Sequence, residues 1–177
     1  MKCLQNVRYT LSALLLIAVF GLLSGFARAD SNDLMLNIPS LSIRTPIVEI
    51  AIMQLPSGEA SWDTRNLGMQ VGHLEGTAGL YETGNIVLGA HSELEQRRQG
   101  IFYTLNQIEI GDAIELVRDT ETREYVVTQA YLVDIQDLSP VYPTSNDQIT
   151  LITCDINSYD SATGEYHKRL IVVAERR

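Results

Sequence analysis

The stretch QITLITC, residues 148–154, packs isoleucine, leucine and threonine into seven positions and stops on a cysteine. It is too short for a stable helix and rich in β-branched residues, so it reads as a strand. RLIVVAE (169–175) has the same character, and NIVLGA (85–90) is a third compact run that ends directly on His91. Further out, AIELV (113–117) and EYVVTQAYLVDI (124–135) flank turn chemistry at Asp119–Arg123 and read as a hairpin. LNIPSLSI (36–43) and PIVEIAIM (46–53) read as two more strands, in which Pro39 and Pro46 restrict where ladder bonds can run. The polar segment from Pro56 to about Leu67 suits a loop or a short helix. Residues 93–107 (ELEQRRQGIFYTLNQ) are the expected helical piece, broken at Gly100, with Ile101, Phe102 and Leu105 on its buried side. About seven strands with short turns and little helix point to an all-β domain. A closed or nearly closed barrel is the first reading and a sandwich is the alternative. The strands are too few and too uneven for a transmembrane barrel.

Of the 177 residues 45% are hydrophobic and 20% charged, a globular composition without disorder, repeats or linkers. Lys and Arg number 13 against 22 Asp and Glu, a formal charge of -9. Three of the basic residues (Lys2, Arg8, Arg28) and no acidic one fall in residues 1–29. The remaining 148 residues thus carry 10 basic against 22 acidic groups, or −12. Such a surface repels a phosphate backbone, and the adjacent pairs Arg97-Arg98 and Arg176-Arg177 make no patch, so nucleic acid is excluded as a partner.

Residues 11–27 (LSALLLIAVFGLLSGFA) carry no charge and follow Lys2 and Arg8. Two readings fit: a signal anchor crossing the membrane, or a signal peptide cleaved after the small-x-small triplet Ala27-Arg28-Ala29. Either places residues 30–177 on the extracellular side, because positive charge stays inside. Cys3 then precedes the apolar run and Cys154 stands alone in the exported part, where an unpaired thiol calls for a functional explanation.

Cys154, His91 and Arg169 all lie at strand ends, which are rigid mounts that still expose a side chain. A thiol attacks as thiolate and needs cationic surroundings. Histidine supplies a proton and a positive neighbour, and the guanidinium fork suits the oxygen of a carbonyl under attack. The set is coherent for acyl transfer. On the residues alone, Cys154 fits a small core residue equally well, Arg169 fits a surface charge beside Lys168, and His73 or His167 could replace His91 as the base. Three histidines and one exported cysteine lack the ligand spacing of a zinc site.

Thr150-Leu151-Ile152-Thr153-Cys154, with a basic residue and an apolar strand after a loop, resembles the TLxTC motif of the sortases, exported cysteine transpeptidases of mainly Gram-positive bacteria. Gly84-Asn85-Ile86-Val87-Leu88-Gly89-Ala90-His91 is similar to the family's histidine strand. Arg169 in KRLIVVAE matches its arginine, and VGHLEGTAGL (71–80) looks like the approach to the histidine strand. The resemblance spans residues 36–175. Departures are Ala90 where glycine is common before the histidine, Glu82-Thr83 in place of Pro-Gly, and Ile156 where several classes carry proline. LITCD, the Thr-Gly and aromatic loop and Lys-Arg look most like class A, with class D-like groups also matching upstream.

The resemblance implies a closed all-β barrel of about eight strands with one or two short helices. It implies cleavage of an LPxTG-like sorting signal between Thr and Gly through a Cys154 thioacyl intermediate, with His91 as acid and base and Arg169 at the oxyanion. Transfer would follow to an amine of a cell-wall precursor or pilin. The groove is expected along Asp134–Asn146, with Val133, Leu138, Pro140 and Val141 forming an apolar pocket near Thr153. No cofactor is implied, although some members hold calcium on acidic loops, for which Glu75, Glu82 and Glu165 are candidates. The competing functions are an exported Cys–His peptidase without transfer and an inactive exported binding domain.

Overall fold

The computed structural model describes residues 34–56 and 58–177. The expected anchor or signal peptide over residues 1–29 lies outside them. Among the described residues no helix is long and apolar enough to cross a membrane.

Twelve strands run in chain order: β1 (Met35–Ile38), β2 (Ile43–Ile50), β3 (Ile52–Gln54), β4 (Ala60–Trp62), β5 (Val71–Leu74), β6 (Asn85–Gly89), β7 (Ala113–Arg118), β8 (Glu121–Asp134), β9 (Gln148–Cys154), β10 (Tyr159–Asp160), β11 (Glu165–Tyr166) and β12 (Lys168–Arg176). Eight of them close a barrel in the order β1-β2-β5-β6-β9-β12-β8-β7. β1 pairs back onto β7, so the barrel sheet has no open edge. The β2/β5 and β6/β9 pairs are parallel and the other barrel pairs antiparallel. A barrel, not a sandwich, is therefore the architecture. β3 with β4 and β10 with β11 form two small hairpins outside it.

Proline explains the first corner. Pro39 opens a 3-10 turn over Pro39–Leu41, and Ser42 turns left-handed at φ 55°, so the 36–43 run is split between two strands. Pro46, which has no N–H, falls where β2 passes from its β1 partner (through Pro46) to its β5 partner (from Ile47).

One strand is added to those expected, and one expectation is corrected. VGHL (71–74) is a barrel strand, buried along its whole length. Its Gly72 lets the Ile50 side chain lie across it, since a Cβ there would come within 1.9 Å of Ile50 Cδ1. Residues 93–107 form no α-helix. They make a tight loop bridged between Glu93 and Gln99, with 3-10 turns at Glu95–Arg97 and Leu105–Gln107. The run 93–99 has Leu94 as its one apolar residue and so no apolar face to pack, whereas Phe102 and Leu105 plug the barrel core at 1% and 0% exposure.

Inward and outward residues alternate with period two. On β9, Ile149 and Leu151 enter the main core, while Ile152 joins a second cluster on the outer face with Ile50, Leu67, Leu74, Val87, Trp62 and Val141. That outer cluster is the floor on which the site is built.

Candidate active site

Strand register brings the three strand-end residues together. Arg169 on β12 is the cross-strand partner of Cys154 on β9, and Val133 on β8 is the partner of Arg169. On the other side, Gly89 of β6 is level with Ile152, and the ladder continues through the Ala90 N–H to the Ile152 carbonyl at 3.2 Å. Cys154, Arg169 and Val133 are thus level on three neighbouring strands, and period two puts them on the outer face with Ile152. His91 follows the last paired residue of β6 by two positions and lines the same groove as these three.

These four residues line a groove of about 590 Å³. Ile152, Leu67 and Leu74 floor it. Trp62 and Thr64 stand on one side, with Leu138, Pro140 and Val141 on the other. Val133, Leu138, Pro140, Val141 and Thr153, expected near a substrate pocket, all line this groove with Cys154, His91 and Arg169. Thr153 itself is buried, and its Oγ1 donates to the Ala90 carbonyl at 2.8 Å, tying the cysteine strand to the residue before His91. Ala90, where glycine is common, packs against the barrel core and also lines the groove.

His91 is fixed on both sides. Its Nε2–H donates to the Thr64 carbonyl at 3.1 Å, and its own carbonyl accepts from the Phe102 N–H at 3.1 Å. Gly100 makes that approach possible, because a Cβ there would sit 2.2 Å from the His91 carbonyl oxygen. The other two histidines lie away from the groove. His73 is buried with Nδ1 at 2.9 Å from Glu49 and Nε2 at 2.9 Å from the Ala78 carbonyl. Nε2 of the exposed His167 lies 3.4 Å from Asp160.

Burial pushes the half-buried Cys154 thiol above its ordinary range, Arg169 pulls it back, and Glu93 pushes it further up. The Arg169 Nη1 donates to the carbonyls of Tyr166 and Lys168, at 3.2 and 3.3 Å. Among the described residues no carboxylate forms an ion pair with it, so its positive charge stays uncancelled beside the thiol.

Glu93 and Tyr166 are the neighbours that sequence reasoning missed. The Glu93 side chain is 7% exposed, takes an ion pair from Arg97 at 3.1 Å and accepts a hydrogen bond from the Tyr166 hydroxyl. Tyr166 is pushed up to about 12 by burial first and then by Glu93. Arg97 lies over the Tyr159 ring, which in turn packs on Tyr166. The available signal was the spacing: in an extended chain Glu93 faces the same way as His91.

The acidic candidates for calcium are not gathered. Glu75 is spent on the Ile52 N–H at 2.7 Å, Glu82 on the Gly79 N–H at 3.3 Å, and Glu165 is exposed on β11. Among the described residues no group of three or more His, Cys, Asp or Glu is placed to hold a metal ion. These residues do not fit a calcium site.

A closed β-barrel brings a thiol, an imidazole and a guanidinium to one largely apolar groove, the groups that thiol acyl transfer requires. The sortase domain model matches residues 36–177, and the chain belongs to the sortase family, a family of transpeptidases. Sortase A from Corynebacterium diphtheriae superposes with a TM-score of 0.64 at 29% identity, over 82% of this chain and 60% of that one. Sortase C-1 from Actinomyces oris gives 0.61 at 27%, over 81% and 72%. Listeria monocytogenes sortase A gives 0.63 at 23%, over 84% and 88%, a likeness of fold. No curated protein matches at the sequence level.

Proposed function

We propose that the chain is a class A-like cysteine transpeptidase that cleaves an LPxTG-like sorting signal between Thr and Gly and transfers the product to an amine. The observation that carries this reading is the cross-strand pair Cys154–Arg169 sharing one apolar groove with His91. The Leu138, Pro140 and Val141 side suits the leucine and proline of such a signal, and the threonine carbonyl then reaches the thiol.

Cys154 thiolate adds to that carbonyl carbon and the π electrons move to oxygen, where the Arg169 guanidinium stabilises the charge. Collapse breaks the Thr–Gly bond, and protonated His91 gives its proton to the departing glycine amine. The result is a thioester on Cys154. An incoming amine, from a cell-wall precursor or a pilin lysine, adds to the thioester carbon as His91 takes its proton. Expulsion of the thiolate completes the transfer. The active form is Cys⁻ with His⁺, and a thiol held up by burial keeps that form a minority at neutral pH. In this reading residues 11–27 anchor or export the domain to the extracellular face of the membrane.

The test is mass spectrometry of residues 30–177 incubated with an LPETG peptide and excess triglycine. Ligated LPET-triglycine that disappears with Cys154→Ala, His91→Ala and Arg169→Ala supports the reading. Cleavage unaffected by triglycine or by other primary amines points to a peptidase, and no reaction with any LPxTG peptide defeats the proposal.

A further inference from the structure

Behind the wall of the groove lies a buried amide that the chemistry never touches. Asn85 opens β6 and is 2% exposed. Its Nδ2 donates to the Pro140 and Tyr142 carbonyls at 2.9 Å each. Its Oδ1 accepts from Thr150 Oγ1 at 2.7 Å and from Gln148 Nε2 at 3.2 Å, both on β9 and both buried. A carboxamide has two donor hydrogens and two acceptor lone pairs, and here all four are used.

The allocation is one-sided in a useful way. Both acceptor bonds go to the barrel and both donor bonds go to the wall. The wall needs them, because the bonds within the Ser139–Val141 turn are local: Ser139 N–H to Asp137 Oδ1 (2.8 Å), Val141 N–H to Leu138 O (3.1 Å) and Tyr142 N–H to Ser139 O (3.3 Å). Pro140 has no N–H to contribute. Its carbonyl and that of Tyr142 point toward the barrel, where no strand offers a backbone donor, and an unpaired buried carbonyl is costly. Asn85 itself does not line the substrate groove. It borders a separate polar recess of about 230 Å³ behind the wall.

We infer that Asn85 is a specificity-determining positioning residue: by clamping the Pro140 and Tyr142 carbonyls it fixes how far the Leu138–Val141 wall stands from the Ile152 floor, and so sets which side chain the apolar pocket accepts. This rests on the proposed function, since the pocket is taken to hold the leucine and proline of a sorting signal. The clamp works through the backbone, so the wall side chains can differ while the width stays set. It is also independent of the thiol, because Asn85 lies six residues before His91 at the opposite end of β6.

Asn85→Asp separates the two halves of the allocation. It is nearly isosteric, keeps the acceptors for Thr150 and Gln148, and removes both donors, leaving two carbonyls opposite a carboxylate. The experiment compares this variant with the wild type on LPETG and APETG peptides with triglycine, alongside iodoacetamide alkylation of Cys154 and hydrogen exchange of backbone amides. We expect KM for LPETG to rise about tenfold with kcat little changed, and the LPETG-over-APETG preference to fall about fivefold or more. Alkylation of Cys154 should stay within about twofold of wild type, and the Val141 and Tyr142 amides should exchange at least about tenfold faster while β9 stays protected. An unchanged preference with equal losses on both peptides overturns the inference, as does altered Cys154 alkylation. If the wild type ligates neither peptide, the proposed function fails by itself. Hydrogen exchange still decides the clamp, and unchanged exchange at Val141 and Tyr142 overturns it.

Discussion

Cys154 stands between two loops built from opposite materials. On the groove side the 135–142 wall turns Ile135, Leu138, Pro140 and Val141 to the groove beside one carboxylate, Asp137, and is held to the barrel by the neutral amide of Asn85. On the far side the 155–167 loop is polar and aromatic, and it is tied down through Tyr166 by the carboxylate of Glu93 and the stacked Arg97. Neutral hydrogen bonds fix a shape without adding a field. A charged cluster also fixes a shape, and it acts on every titratable group nearby. In the proposed function the wall then governs what enters the groove, while Glu93 acts on the charge state of the thiol. Changes on the first side should move selectivity. Changes on the second should move pH profiles.

Arg169 belongs to the electrostatic side, and its loss should give the largest effect. Arg169→Gln keeps a hydrogen-bonding side chain but removes the charge that draws the Cys154 thiol downward. It also removes a donor at the proposed oxyanion, so kcat/KM should fall by about 10²–10³-fold. The pH profile of iodoacetamide alkylation should shift to higher pH, since the thiolate loses its cationic neighbour. A variant with full activity, or with an unmoved profile, would show that the guanidinium is not felt at the sulfur.

Gly100→Ala tests position without touching charge. The methyl would meet the His91 carbonyl oxygen at 2.2 Å, both of them backbone-mounted, so the 92–102 loop or His91 must shift. A small displacement of an acid–base group costs rate steeply, and we expect about tenfold or more off kcat with the alkylation profile of Cys154 little moved. Wild-type kcat, with a fold intact by circular dichroism, would mean that the loop absorbs the methyl.

The strands around this site were legible because composition and boundaries agreed. QITLITC, NIVLGA and RLIVVAE are each short, β-branched and bounded by turn residues, and each is a barrel strand. VGHL was not legible, because a strand buried on both faces has no alternation and Gly72 reads as a turn when its purpose is to admit Ile50. The segment 93–107 misled in the other direction. Ile101, Phe102 and Leu105 have helical spacing, yet Phe102 and Leu105 fill the barrel core from consecutive tight turns. The strand-end positions of Cys154, His91 and Arg169 could be read directly. Their juxtaposition could not, because it depends on the parallel register of β6 with β9, which joins segments some sixty residues apart. Asn85 acts through tertiary partners that no local pattern marks, and Glu93 was marked only by its spacing from His91.

The smallest expected effect is the sharpest test of the contrast, because its sign is opposite to the rest. Glu93 pushes the Cys154 thiol up, so Glu93→Gln should bring it down while the amide oxygen still accepts the Tyr166 hydroxyl. Below the midpoint of the thiol's titration, a lower midpoint means a larger thiolate fraction. Alkylation of Cys154 should then be faster than wild type by about two- to threefold, a shift that costs well under 1 kcal/mol. Well above both midpoints the thiol is ionised in either protein, so the advantage should vanish as pH rises. No group of the wall acts on the thiol, so that side predicts no such crossover: Asn85→Asp should leave the same profile in place while it changes peptide preference. If Glu93→Gln slows alkylation at every pH, loss of the Arg97 pair has disturbed the loop and Glu93 is a structural tie. If it speeds alkylation only at low pH, the carboxylate restrains the thiol, and the two sides of Cys154 do different work.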